Sequence, residues 1–208
     1  MSKYTLIICE KPSAAKKMAE ALADKTAKKL TYMRRIPYYE LTHNNNPIVI
    51  ACAVGHLYTV AEKDKKGWKY PVFGMEWKAS FEVSKGAAFT KPYLNLIKKL
   101  AKDAGDIVVA CDFDVEGEVI GFNIIKYTCK RDDAQRMKFS TTTKEDLRKS
   151  FDERIKKLDL KQVEAGITRH ELDWLFGINL SRALTLSLKT AIGGFKVLSS
   201  GRVQGPAL

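Results

Sequence analysis

The chain has no apolar stretch approaching the roughly 20 residues needed to span a bilayer, so no membrane-crossing helix is expected. Its opening residues, Met-Ser-Lys-Tyr-Thr-Leu-Ile-Ile-Cys-Glu, hold too short an apolar run for a secretory leader and no small-residue cleavage site. The four cysteines, Cys9, Cys52, Cys111 and Cys129, never form a CxxC pair, which argues against a zinc ribbon or thioredoxin-like chemistry. They are expected to be reduced, small apolar residues of a cytosolic protein. Repeats and low-complexity segments are absent. Acidic residues are in deficit, with 24 Asp and Glu against 36 Lys and Arg and a formal net charge of +12. Such an excess favours a polyanionic partner, nucleic acid or anionic membrane, and its plain alternative is a solvated basic surface.

What remains is the composition of a globular protein. A length of 208 residues and 45% hydrophobic content suffice for one large domain, or one domain and part of another. Tyr4 to Cys9 reads as a continuous apolar strand, and Pro12 to Ala23 has helical periodicity with Ser13 placed to cap it. The run Asn44-Asn45-Asn46-Pro47 predicts a turn before a second apolar run, Ile48 to Ala53, that ends in Gly55-His56. Glu62 to Gly86 shows no period and reads as a long irregular excursion. Lys91 to Ala104 is amphipathic, with Leu94, Ile97 and Leu100 on one face, and leads into a strand over Ile107 to Cys111. A helix over Val119 to Tyr127, a short strand over Met137 to Phe139 and a helix over Lys144 to Leu158 follow, the last with Thr142 and Glu145 as a capping box.

Strands alternating with helices predict an α/β fold, a mostly parallel sheet flanked by helices. From about Lys161 to Lys189 the pattern is wholly helical, which places a domain boundary near residue 158: a first domain over 1–158 and a helical segment of a second over 159–208.

The strongest chemical signal lies between Asp106 and Glu118, where five carboxylates occur without one Lys or Arg. Crowded carboxylates resist ionising together unless a cation joins them, so a divalent metal site is the first expectation. In open parallel sheets ligands gather beyond the carboxyl ends of the strands, and two apolar strands here end in acids, Glu10 and Asp112. If those strands are neighbours, their spacing of roughly 4.8 Å brings both carboxylates within reach of one ion. Asp112 and Asp114 share a side of an extended chain, and Gly117 allows a sharp turn that folds Glu116 back. An oxygen-only donor set suits Mg²⁺. Acids matching a helix macrodipole would account for Glu116 and Glu118, but not for Glu10, Asp112 and Asp114. Lys11, at the start of the first helix, is placed to stabilise charge on a transferring phosphoryl group.

These residues fall into ordered motifs: Glu-Lys-Pro-Ser at 10–13, Gly-His-Leu at 55–57, Asp-x-Asp-x-Glu-Gly-Glu at 112–118, Thr-Arg-His-Glu-Leu-Asp-Trp-Leu-Phe-Gly at 168–177 and Ser-Ser-Gly-Arg-Val-Gln-Gly-Pro-Ala-Leu at 199–208. The set resembles the type IA DNA topoisomerases, closest to archaeal topoisomerase I and the topoisomerase III branch. The resemblance implies a Toprim (Rossmann-like) domain followed by the start of a helical strand-binding domain. It implies Mg²⁺-dependent breakage and rejoining of one DNA strand through a tyrosine that becomes linked to a 5′ phosphate. Glu10 then corresponds to the acid near the scissile phosphate, Lys11 to its charge-stabilising neighbour, and Asp112, Asp114 and Glu116 to the Mg²⁺ site. Arg169, Asp173, Arg202 and Gln204 match motif positions of the domain that binds the strand. His56 lies in a motif, but a lone histidine at a strand end suits a structural role equally well, and it is left out of the expected site.

Two departures stand out. The family often has Pro and Arg where this chain has Phe113 and Val115. None of the eight tyrosines lies in a segment like the family's nucleophile motif, so these residues are expected to be an N-terminal part, inactive alone, whose partners are single-stranded or negatively supercoiled DNA and the remainder of the polypeptide carrying that tyrosine. No membrane partner is expected, and the location is the cytoplasm, at the nucleoid. Residues 11–35 are strongly basic, which suits phosphate binding without sequence readout but equally suits a solvated helix face. Arg169 is expected on a helix with Ile167 and Leu172 buried behind it. The alternatives are a Toprim nuclease or primase, which would use the same acids for another phosphoryl transfer, and a non-catalytic DNA-binding module.

Overall fold

A computed structural model describes residues 4–65, 67–202 and 204. The chain divides into two compact units, Met1–Tyr58 with Ala79–Gly166, and Thr59–Lys78 with Ile167–Leu208.

The first unit is built on β1 (Tyr4–Cys9), of which Leu6, Ile7, Ile8 and Cys9 are wholly buried. Each such aliphatic contributes about 1.5–3 kcal/mol when taken from water into the core. Pro12 then starts α1 (Pro12–Leu22), whose fixed φ suits the first helical position. Lys11 is the residue preceding the helix and no side chain caps it, so Ser13 lies inside the first turn rather than at the cap. Small residues Ala14, Ala15 and Ala19 let this helix lie close to the sheet, in a core shared with Ile7, Ile50, Leu147 and Phe151.

The sheet continues through β2 (Lys28–Tyr32), β3 (Ile36–His43) and β4 (Asn46–Cys52). β2, β3 and β4 are antiparallel neighbours, and β4 then runs parallel to β1. The Asn44-Asn45 turn expected before β4 is present, both residues having positive φ. The β2–β3 hairpin was not expected. Its turn uses Met33 and Arg34 at φ 50 and 60, with Arg35 N donating to Tyr32 O at 3.2 Å. Hairpin turns of this hand are signalled by Asn or Gly, which this one lacks.

Beyond β5 (Tyr58–Glu62), β6 (Met75–Ala79), α2 (Ser80–Val83) and a 3₁₀ turn over Lys85–Thr90 come α3 (Lys91–Ala101) and β7 (Ala104–Ala110). β7 is parallel to β1, and β8 (Gln135–Arg136) is parallel to β7. The sheet order β2-β3-β4-β1-β7-β8 is therefore mostly parallel with an antiparallel edge, and helices flank it, as expected for a Toprim-like α/β fold.

Several elements are displaced from their expected bounds. The helix after the acids, α4 (Val115–Asn123), starts four residues early and passes into a π turn over Ile124–Cys129. β8 precedes the apolar Met137–Phe139 run because a wholly buried arginine, Arg136, occupies it. α5 (Lys144–Asp152) is capped by Thr143, whose Oγ1 accepts from Asp146 N at 3.3 Å, one register on from the expected Thr142 and Glu145.

In the second unit β5 and β6 form a two-stranded sheet, so the Glu62 to Gly86 excursion is more ordered than its missing period suggests. It is fastened to the long helix α6 (Leu160–Ile192) by polar contacts that hydropathy does not register. Arg182 donates to Glu62 Oε2 at 2.5 Å and to Lys69 O at 2.8 Å, and the Asn179 amide pairs with both backbone groups of Val72 at 2.7 Å. Leu172 is 45% exposed rather than buried behind Arg169.

No helix among the described residues is long and apolar enough to cross a membrane. The four cysteines are free thiols, and burial pushes Cys52 and Cys111 up to about 12.

Candidate functional site

Cys9 lies opposite Ala110 in the parallel β1–β7 register, so the residues that follow each strand emerge side by side. This is the adjacency required for Glu10 and Asp112 to serve one ion. Asp112 N donates to Glu10 Oε2 at 3.4 Å, and Lys11 Nζ donates to Asp112 Oδ2 at 2.9 Å. The chain leaving β4 ties off the same edge, with Ala53 N donating to Cys9 O at 2.8 Å and Gly55 N to Glu10 O at 3.2 Å. The hydrogen bond to Asp112, reinforced by the charges of Asp112, Glu10 and Asp114, raises the Lys11 ammonium above its ordinary range despite some desolvation. A half-exposed permanent cation thus stands among the acids.

Asp114 caps α4, its Oδ1 accepting from Gly117 N at 2.7 Å. Gly117 has no room for a side chain, because a Cβ there would lie 2.1 Å from Asp112 O. The helix therefore starts hard against the backbone of the first acid, a close approach that only glycine permits.

Glu116 Oε2 lies 3.0 Å from His56 Nε2. Sequence reasoning set His56 aside, yet Gly55 at φ +77 turns the chain so that this histidine reaches the acidic loop. Its usable signal was position, just past the carboxyl end of a central strand and directly after a glycine.

Glu118 is turned away from the other acids. It is wholly buried and Oε1 accepts from Arg136 Nε at 2.8 Å, while Oε2 has no hydrogen-bond partner among the described residues. The Arg136 guanidinium also donates to Cys111 O at 2.8 Å, Met137 O at 2.7 Å and Asp112 O at 2.8 Å. It therefore braces from beneath the backbone that carries Asp112. Composition gave no hint of this, since arginine is rarely buried and Glu118 looked like one more first-turn acid.

In the second unit, Asp173 pairs with Arg169, N–O 3.9 Å, one helical turn away, and with Arg202 by a short hydrogen bond. Gln204 is exposed. Val203 and residues 205–208 of the last motif lie outside the described residues.

The first unit thus carries the hard carboxylate oxygens of Glu10, Asp112 and Asp114 at one edge with a lysine among them, while Glu116 is turned to His56; among the described residues no three of these four acids bring their oxygens within 4.8 Å of one another. Oxygen donors of this kind fit a divalent cation that retains water for a phosphate ligand.

Comparison with known proteins is consistent with this geometry. Residues 5–142 match the Toprim domain family, and residues 157–208 match the DNA topoisomerase family. The chain is 47% identical to DNA topoisomerase 1 of Methanocaldococcus jannaschii, with 98% of this chain and 26% of that protein aligned. It is 46% identical to DNA topoisomerase 1 of Pyrococcus furiosus, over 98% of this chain and 19% of that protein. DNA topoisomerase 3 of Vibrio cholerae is 31% identical over 98% of this chain and 31% of that protein. The chain therefore spans less than a third of these relatives. Among solved structures, full-length topoisomerase I of Thermotoga maritima superposes with a TM-score of 0.57 at 22% identity, covering 86% of this chain and 26% of that one, a likeness of fold.

Proposed function

Because the chain belongs to the type IA DNA topoisomerases, we propose that it is the N-terminal, Toprim-bearing part of an enzyme that breaks and rejoins single DNA strands. The observation that carries this reading is the β1–β7 register, which brings Asp112 into contact with both Glu10 and Lys11 at the carboxyl end of the sheet. The second family match, over residues 157–208, favours it over a nuclease or primase built on the same acids.

In this reading Asp112, Asp114 and Glu116 hold Mg²⁺, and Glu10 faces the scissile phosphate. When bound, the ion supplies neutralisation of charge on the phosphoryl oxygens. Lys11 does the same from the protein side: its ammonium stays protonated and hydrogen-bonded, so it is already oriented when charge builds on the phosphate. Glu10 accepts from the Asp112 amide, which holds it in place, and in this reading it is the group that exchanges a proton with the leaving deoxyribose oxygen. His56 fixes the orientation of Glu116. Arg169, Asp173, Arg202 and Gln204 belong to the strand-binding part, where the pairing of Asp173 with both arginines sets the direction of their guanidinium groups. The domains run over 1–158 and 159–208, the substrate is single-stranded or negatively supercoiled DNA, and the enzyme works in the cytoplasm at the nucleoid.

The nucleophilic tyrosine comes from polypeptide outside these 208 residues, since none of the eight tyrosines lies in a nucleophile-like segment. The apolar side chains Phe73, Phe176, Leu184 and Phe195, each 46–73% exposed on the second unit, support further polypeptide packing there. The test is relaxation of negatively supercoiled plasmid in Mg²⁺. Residues 1–208 alone are expected to leave the plasmid supercoiled and the tyrosine-bearing polypeptide to relax it. Relaxation by the 208-residue chain would overturn the division of labour.

A further inference from the structure

One of the two departures from the acid motif, Phe113, stands at the centre of the site. It lies between Asp112 and Asp114 and is 48% exposed, an unusual place for a large apolar ring to meet water. Lys138 Nζ sits 4.7 Å from the ring centroid, a cation–π contact that holds the ring and adds positive charge. Phe113 lines a cleft of about 600 Å³ together with Lys11, Asp112, Asp114, Thr141 and Thr142. That volume is within the range of about 300–1,000 Å³ typical of small-ligand sites.

The wall opposite the acids is preformed. Thr141 N and Oγ1 both donate to Asp146 Oδ2, at 2.8 and 3.0 Å, and these bonds hold the Asp146 carboxyl below its usual range. Thr142 Oγ1 accepts from Lys17 Nζ at 2.7 Å, which brings another ammonium to the rim. The cleft therefore has an aromatic face, fixed hydroxyls, cations at its edge and the metal-binding acids at one end. Each part answers to a part of a nucleotide: the π-face to a base, and the lysines and hydroxyls to a phosphate.

We propose that this cleft is a nucleotide subsite, in which the Phe113 ring stacks on one base of the DNA strand while Lys11, Lys17 and Thr142 face its phosphate. The inference rests on the topoisomerase reading and deepens it: Phe113 positions the strand beside the acids by stacking, without reading sequence. A base-edge contact would need donors and acceptors that a phenyl ring lacks. Phe113→Leu keeps apolar bulk without the π-face, and Phe113→Trp enlarges it, so the pair separates stacking from general apolarity.

The experiment measures the affinity of the 208-residue chain at low salt for oligodeoxythymidylate and for an abasic strand with the same number of phosphates. The parent is expected to prefer the base-bearing strand. Phe113→Ala and Phe113→Leu are expected to lose about tenfold in affinity for that strand, within what one stacked base is worth, with no change for the abasic one. Phe113→Trp is expected to retain or exceed the parent's preference. Calorimetric Mn²⁺ binding is expected to be the same in all three variants, because the ring supplies no ligand atom. Equal binding of both strands by parent and Phe113 variants would overturn the subsite and leave the topoisomerase reading standing. Failure of the parent to bind either strand would overturn both.

Discussion

Arg136→Ala is expected to cost about 3–5 kcal/mol of folding stability, measured by urea denaturation, because it leaves the Glu118 carboxylate buried without its charge partner. The cost adds to that of three carbonyls, on Cys111, Asp112 and Met137, that lose a donor in the interior. Loss of stability alone would not show what the pair is for. The informative variant replaces both members by apolar residues of similar length, Glu118→Leu with Arg136→Met. Exchanging the ion pair whole removes the uncompensated charge of Glu118, so this double variant should recover the part of the loss that the stranded carboxylate causes, while the part due to the three carbonyls remains. It should not recover Mn²⁺ affinity, because the carbonyls of Cys111 and Asp112 still lack the guanidinium that fixes them. Recovery of both properties would mean that the pair fills space and does not brace the acids.

Gly117→Ala is expected to weaken Mn²⁺ binding at least tenfold and to destabilise the fold by about 1–3 kcal/mol, the usual range for forcing a group into a packed place. The added Cβ would meet Asp112 O at 2.1 Å and Asp112 C at 3.1 Å, and both are backbone atoms that no rotamer change can clear. Either the first turn of α4 or the end of β7 must move, and Asp112, Asp114 and Glu116 are carried on that segment. The control is Gly166→Ala, also crowded but against the Val119 and Val115 side chains at 2.3 and 2.8 Å. There the expected loss is in stability, read from urea denaturation, with Mn²⁺ affinity retained by the folded protein.

What could be read from the sequence follows from how each part is stabilised. β1, β4 and β7 are buried on both faces, so they appear as unbroken apolar runs, and the acids that terminate β1 and β7 mark the edge where ligands gather. The adjacency of the strand-end acids was therefore legible, whereas Gly117, expected at a sharp turn, lies inside α4 and is needed for the close approach to Asp112 O. β2 was not legible, because its Lys28-Lys29-Leu30-Thr31-Tyr32 sequence lies on the sheet edge with no wholly buried residue, and a basic edge strand looks like any solvated basic segment. The excursion around Lys69 and Val72 owes its order to Arg182 and Asn179, more than a hundred residues distant, and no local period encodes such contacts. The same blindness concealed Arg136. A side chain that is usually solvated gives a misleading signal when it makes four buried or half-buried hydrogen bonds, three to main-chain carbonyls and one to a buried acid.

His56 teaches a related point. Its motif was visible, but a histidine's role depends on what it faces, and Glu116 is 60 positions away in sequence. The three-dimensional contact at 3.0 Å makes it part of the acid loop's surroundings.

The central claim is that the acids at the ends of β1 and β7 form one divalent-cation site. Calorimetric titration of the 208-residue chain with Mn²⁺ tests it most directly, comparing the parent with a variant carrying Asp112→Ala and Asp114→Ala. The account predicts a saturable signal for the parent and none for the variant, with both proteins shown to be folded by circular dichroism. An unchanged signal in the folded variant would contradict it and place the ion elsewhere.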